Sequence, residues 1–344
     1  PARTAALSPT QQEKKPEAMF RFFVRRLIGA VVILLIISAV TFFLFYAIPR
    51  DPARAFCGKI CPPQNLVLIR HNLGMDEPLF LQYWHWLFGI FAGRDLVQFG
   101  ECPAPCLGYS FATQEPVFSA ILDRFPVTLS VTIGAAAVLL SFGIVTGMIA
   151  AWQQGKPLDK IASTSSVIGA SLQIYFVGPI LVFFVVDSLG LLPRPSYIPF
   201  TEDPLGWFVH LLIPWVVLSI IFTANYTRMT RSVMVEQLAE DYVRTARAKG
   251  MSNRTVFLRF AWRGAMIPIV TIFGVDLATL LGGAIITEQT FTLHGIGELA
   301  VRAVQNTDLP MLLGVTLVGA FAIVLLNIVV DVLYAFIDPR VRLV

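Results

Sequence analysis

The chain has little charge. Asp, Glu, Lys and Arg make up 14% of its 344 residues, against about a quarter in an ordinary soluble domain. With 56% hydrophobic residues and a mean hydropathy of +0.71, that shortage excludes a typical soluble enzyme, a disordered polymer and a nucleic-acid reader. A sequence pI near 9.0 does not restore the last, because the net charge is only +4 and its placement matters more than its sum. Familiar catalytic patterns are missing too. No G-x-x-x-x-G-K-[ST] segment is present to cradle a nucleotide's phosphates. No H-E-x-x-H occurs, and His71, His85, His210 and His294 are scattered, so no metal site is expected. No G-x-S-x-G nucleophile elbow is found. The chain is expected not to be an enzyme and to bind no cofactor of its own.

What is present is a series of long uncharged runs, each able to cross about 30 Å of hydrocarbon as a helix. They cover Leu27 to Pro49, Phe125 to Gly155, Ile161 to Val186, Pro204 to Thr227, Gly264 to Thr287 and Leu309 to Val330. The fifth is interrupted by one charge, Asp276. Barrel strands alternate and are about ten residues long, and these runs do neither. The first run is too long for a cleavable leader and ends in bulky Phe42-Phe43-Leu44-Phe45-Tyr46. The expected fold is all-α and polytopic, with six transmembrane helices and a small disulfide-stapled extracytoplasmic subdomain between the first two.

Lys and Arg set the orientation. With the N-terminus inside, the inner segments carry 18 of the 26 basic residues, and the loop from Arg228 to Arg263 decides the matter. Both termini are therefore expected in the cytoplasm of a cell whose inner or plasma membrane holds the chain. Residues 1–18, rich in Pro, Gln, Glu and Lys, read as a disordered cytoplasmic tail. Residues 19–49 form the first transmembrane helix, 50–124 the extracytoplasmic loop, and 125–344 a five-helix core with a cytoplasmic helix at about 240–250.

All four cysteines, Cys57, Cys61, Cys102 and Cys106, fall in the outer loop. That compartment favours disulfides over a metal site, with three connectivities open. Leu66 to Leu73 and Pro78 to Ile90 read as short helices, with Tyr83, Trp84 and Trp86 anchoring the second at the membrane surface.

The inner loop is the most informative stretch. Glu240 to Lys249 reads as a short helix with Glu240 and Asp241 at its positive end, Lys249 in the last turn and Gly250 as its stop. Ser252 reads as an N-cap for the segment leading into the fifth span. The sequence Asp241-Tyr242-Val243-Arg244-Thr245-Ala246-Arg247-Ala248-Lys249-Gly250 resembles the coupling-helix (EAA-loop) motif of ABC importer permeases, in the form of the dipeptide/oligopeptide/nickel branch. Arg244-Thr245-Ala246 stands where the wider superfamily has Glu-Ala-Ala, as is usual in that branch. Further matches follow in order: Leu73-Gly74-Met75-Asp76-Glu77-Pro78-Leu79, Ala265-Met266-Ile267-Pro268, Gly282-Gly283-Ala284 with Glu288 and Phe291, Gly295-Ile296-Gly297, and Asp338-Pro339-Arg340. His294 replaces a usual proline, and the segment around Cys102 and Cys106 and the polar tail are departures.

The resemblance implies a permease subunit forming half of a pore for di- or oligopeptides. It implies a paralogous permease, two ATPases that hold the ATP and Mg, an extracytoplasmic binding protein and the lipid bilayer as partners, with no nucleic acid. It assigns Asp241, Tyr242, Arg244, Thr245, Ala246, Lys249 and Gly250 to contact with an ATPase, and Glu288, Phe291 and His294 to an outward segment near the gate. Asp276 is read either as a pathway contact for a peptide's amino terminus or as an internally bonded residue of the bundle. Alternatives are a nickel-chelate permease of the same branch, an ATP-independent channel or proton-coupled carrier using Asp276, and a structural or receptor subunit.

Overall fold

A computed structural model describes residues 9–47, 62–63, 67, 70, 77–96, 100–110 and 112–337. Helix α1 (Pro9–Ala47) is the first apolar run extended towards its N-terminus. Residues 9–18, expected to be disordered, continue this helix; residues 1–8 lie outside the described part. Gln, Glu, Lys and Ala are good helix formers, and lengthening a formed helix avoids the nucleation penalty. Pro9 sits in the first turn, where its missing N–H breaks no hydrogen bond.

The outer loop contributes α2 (Leu79–Ala92) and a two-stranded antiparallel ribbon, β1 (Arg94–Leu96) with β2 (Gly100–Cys102), a small exception to the all-α expectation. Cys102 is disulfide-bonded to Cys106, whose backbone N–H donates to the Ile90 carbonyl at 3.2 Å. Cys57 and Cys61 lie outside the described residues, as does most of the helix expected over 66–73. Tyr83 and Trp86 do not lie on the membrane face. They turn inward, and their rings pack against Phe42 of α1 at centroid distances of 5.5 and 5.6 Å. The Tyr83 hydroxyl also meets Ser38 Oγ at 2.9 Å. Only Trp84 keeps the exposure expected of all three. An aromatic cluster with its hydroxyl satisfied is better placed in a protein interior than at a wet interface.

The core consists of α3 (Val117–Trp152), α4 (Pro157–Ser171), α5 (Ile174–Leu181) with a π-helical continuation over Val182–Ser188, α6 (Pro204–Ala239), α7 (Asp241–Ala248), α8 (Trp262–Phe291), α9 (Ile296–Gln305) and α10 (Leu309–Ile337). Among the described residues, five helices are long and apolar enough to span a membrane by themselves, and there are six if the bent pair α4–α5 counts as one. The third span is therefore not the continuous helix expected. It bends by 104° where Leu172 and Gln173 adopt extended backbone. Beyond the break, Pro179 removes a helix donor, and the ladder continues with the wider π spacing.

Helices α3 and α6 form the centre. Leu139, Leu211 and Leu218 are fully buried there, and Trp215 donates its indole N–H to the Ser130 carbonyl at 3.0 Å. In lipid, close fit and hydrogen bonds hold such helices together, since burying apolar surface gains nothing there. A second cluster joins α1, α2, α3, α9 and α10 around Phe42, Ile121, Leu299 and Met311.

Candidate functional site

One end of the bundle is built around α7. Its inward face is Val243 and Ala246, both essentially buried against Val256 and flanked by Leu238 and Phe260. This seals a small apolar core beneath an otherwise polar helix. Asp241, Arg244, Thr245, Arg247 and Lys249 stand out into solvent. The Thr245 hydroxyl donates to the Asp241 carbonyl at 2.9 Å, and Arg244 approaches Asp241 at 3.6 Å. Ala246, expected among the contact residues, is only 3% exposed. Its methyl group is part of the anchor, because the 3.6-residue period puts it on the same face as Val243.

Tyr242 does both jobs. Its ring is 42% exposed, while its hydroxyl donates to Gln237 Oε1 on α6 at 2.7 Å. Burial and the neighbouring Glu240 carboxylate hold the phenol above its ordinary pKa, so it remains a donor at working pH. Gly250 has φ +78°, in the left-handed region that ends helices, with open space around it. Ser252 caps the next segment, its Oγ accepting from the Thr255 N–H at 3.3 Å. That segment enters α8 through a π-helical turn, Val256–Ala261, and Phe257 packs edge-on against Trp152 at the same end of α3.

Asp159 and Arg231, neither singled out by the sequence, form a second anchor at this end. Asp159, 4% exposed near the start of α4, accepts two bonds from the Arg231 guanidinium of α6, from Nε and from Nη2, the latter at 2.7 Å. It also accepts the Gly155 N–H at 2.9 Å. The only sequence hint is an acid in the first turn of a helix, the favourable place for one. A partner 72 positions away leaves no local trace.

At the opposite end, Glu288 and Phe291 lie within the last turns of α8, not beyond it. Glu288 is wholly buried, its carboxylate enclosed by protein. Its carboxylate accepts from Thr128 Oγ1 at 2.6 Å and from the Glu298 N–H at 3.1 Å, while Thr128 Oγ1 accepts the Ile296 N–H at 2.8 Å. Glu288 and Thr128 thus cap the N-terminus of α9 from outside, where a helix favours an acceptor and a negative charge. A Cβ at Gly295 or Gly297 would collide with that carboxylate, which explains the glycine spacing.

Phe291 is 8% exposed and packs in the central core. His294 is exposed and 3.9 Å from Glu298, which is also paired with Arg302. His294 borders a cavity of about 710 Å³ lined also by Asp123, Arg124, Arg194, Tyr197 and Leu293. Among the described residues no group of three or more His, Cys, Asp or Glu is gathered as a metal ion would require. Asp276 lies between the two ends, half-buried in the span Asn253–Phe291.

Comparison with known proteins gives this geometry a context. Residues 143–343 match the family described as binding-protein-dependent transport system inner membrane component. Residues 19–132 match the N-terminal membrane component of the same kind of system. The chain belongs to this family of transport-system membrane components. A putative peptide transport system permease protein of Brucella abortus is 35% identical over 324 residues, covering 94% of this chain and 99% of that protein. A probable peptide ABC transporter permease protein of Sinorhizobium fredii is 33% identical over 321 residues, 93% of this chain and 99% of that one. The glutathione transport system permease protein GsiC of Escherichia coli is 35% identical over 324 residues, with the same 94% and 99% coverage as the first. This chain is thus a multi-pass permease subunit, and the loop bearing α7 and the capped helix α9 flank opposite ends of α8.

Proposed function

We propose that this permease forms half of the pore of an ATP-driven importer of short peptides. A paralogous permease completes the pore, two ATPases bind at α7 and hold the ATP and Mg, and an extracytoplasmic binding protein delivers cargo at the end bearing α9. Both termini then lie in the cytoplasm, as the Lys and Arg excess of the inner loop favours. The relatives named for peptide and glutathione transport support the cargo class. A self-contained carrier built on Asp276 is disfavoured, because the family's systems depend on a separate binding protein.

The observation that carries this reading is the construction of α7. An eight-residue polar helix is locked by Val243 and Ala246 into its own small core and by Tyr242 to α6. A loose charged loop would dissipate a push; a wedge fixed to two long helices passes it on. ATP-driven closure of the ATPases would move both coupling helices and turn the pore outward by rigid-body rearrangement.

The test is affinity purification of the tagged chain in mild detergent with mass-spectrometric identification of stoichiometric companions. A second multi-span permease and one or two ATPases are expected. A stable, monodisperse chain without companions would overturn the proposal. Within the complex, cysteines placed at Arg244 or Lys249 should cross-link to an ATPase, and one at Glu298 should not.

A further inference from the structure

A cavity of about 480 Å³ opens between the last turns of α3 and the turn that leads into α8. Val145, Ile149 and Trp152 line it from α3, and Leu258 lines it from the π-helical turn. Each of these four side chains is about half exposed. Gln153 and Arg254 complete the lining with polar groups.

The apolar and polar parts are separated along the groove. On α3 the lining runs from Val145 to Gln153, and only its last residue is polar. Eight residues of helix cover about 12 Å, close to the roughly 15 Å of one hydrocarbon leaflet. The α8 segment runs the opposite way. The Trp152 and Phe257 rings meet at 4.8 Å at one end of the pair, and Thr128 and Glu288 meet at the other. Arg254, one turn before Phe257 and Leu258, therefore stands past Trp152 on the side of Gln153. Val145 and Trp152 fall inside the span Val117–Trp152, and Gln153 lies just beyond it. A tryptophan at that limit is placed where a bilayer's interface favours one.

The polar end has charge of one sign. The flanking segments 145–160 and 251–263 carry Lys156, Lys160, Arg254, Arg259 and Arg263, and their one acid is Asp159. Asp159 is already bonded to Arg231. Those five cations are exposed, and among the described residues none of them has an acid partner. An unpaired guanidinium with an apolar trough leading away from it into the bilayer fits a molecule with an anionic head and an aliphatic tail. A zwitterionic lipid brings a cation of its own to the same crowded place, and an apolar helix brings no anion.

We infer that this groove binds an anionic phospholipid of the leaflet at the α7 end. One acyl chain lies against Val145, Ile149 and Leu258, and the phosphate accepts hydrogen bonds from Arg254 and Gln153. The lipid bridges the end of α3 and the turn beside α7, so it fastens together two elements that α8 would otherwise move apart. The site is independent of the cargo.

The experiment uses the full chain, with the subunits that co-purify with it, in phosphatidylcholine vesicles. Two lipids with the same mid-chain diazirine are compared at equal trace amounts, photoreactive phosphatidylglycerol and photoreactive phosphatidylcholine. Phosphatidylglycerol should label Val145–Gln153 and Arg254–Leu258 about fivefold more than phosphatidylcholine, the scale of one arginine acting on an anionic headgroup. Both lipids should label Ile36 and Val40 on the exposed face of α1 equally. R254A should bring the phosphatidylglycerol label of the groove down to the phosphatidylcholine level, and R254K should keep most of it. Excess glycerol 3-phosphate should displace nothing.

Equal labelling of the groove by the two lipids in the wild type, or a preference that survives R254A, would overturn the inference. So would α1 labelling with none in the groove, which would mean that another protein covers it. Displacement by glycerol 3-phosphate would assign the site to a soluble phosphate and overturn the lipid. If R254A does not assemble, the contrast between the two lipids on the wild type and on R254K still decides. Loss of the companion subunits would count against the importer reading alone.

Discussion

Substituting Asp159 by Asn tests how α4 is coupled to the helix that carries α7. The carboxylate accepts two guanidinium bonds from Arg231 and one backbone N–H, from Gly155. Asn keeps the shape but loses the charge, and its amide donors oppose those of Arg231. A charge-assisted bond contributes about 1.5–3 kcal/mol where water is excluded. Here the Arg231 side chain is 30% exposed and can recover hydration, so the full sum does not apply. The expected loss is about 2 kcal/mol, or about 30-fold in the equilibrium between docked and undocked α4. The assay is peptide uptake measured together with ATP hydrolysis in the reconstituted complex. Uptake should fall about tenfold or more while hydrolysis stays within about twofold, because α7 itself is untouched. The charge swap D159R/R231D should restore part of the uptake. The reasoning is refuted if neither rate changes. It is equally refuted if both fall in proportion, since that pattern reports a failure of assembly and not of coupling.

Gly250→Val should place a β-branched residue at φ +78°, at a strain of about 1–3 kcal/mol, and lower uptake while membrane abundance, read by immunoblot, stays normal. Tyr242→Phe removes the donor to Gln237, about 1 kcal/mol, and should reduce uptake a few-fold without preventing co-purification of the ATPases. Glu288→Ala leaves Thr128 and the first turn of α9 without their acceptor, so amide exchange over residues 295–300 should accelerate about tenfold or more while that of α7 is unchanged. Glu288→Gln, which keeps an acceptor oxygen, should show a smaller increase in the same measurement.

The spans were legible because a bilayer imposes a length and an apolarity that few other structures need. The helix α7 was legible for a different reason: Gly250 and Ser252 are local signals, and each acts on backbone at or within a few residues of itself. What could not be read depends on where distant segments meet. Glu288 looks like a loop residue until Thr128, 160 positions earlier, is placed against it. Asp159 looks like a solvated loop acid until Arg231 arrives from another helix. Tyr83 and Trp86 have the composition of an interfacial belt, and only the position of Phe42 turns them inward. The break at Leu172–Gln173 has no proline or glycine at the bend itself to announce it.

The features found apart from one another lie along one rod. The helical stretch Asn253–Phe291 is 39 residues long, about 58 Å at helical rise. Its inner end receives the Tyr242 ring and the small core under α7, with the Tyr242 hydroxyl 3.5 Å from the Phe260 carbonyl. Asp276 lies near its middle, and Glu288, close to its outer end, caps α9. A helix that joins three such places without a long loop moves them together, so a shift imposed at α7 is expected at Asp276 and at α9. The give in the rod is localised too. The π-helical turn Val256–Ala261 and Pro268 both fall in the half nearer α7, where wider spacing and a missing donor make bending easiest. Between Pro268 and Phe291 neither interruption recurs. A push at α7 should therefore flex the rod at or before Pro268 and carry the stretch from there to Phe291 as a rigid body, so that Asp276 and the cap of α9 change position in step.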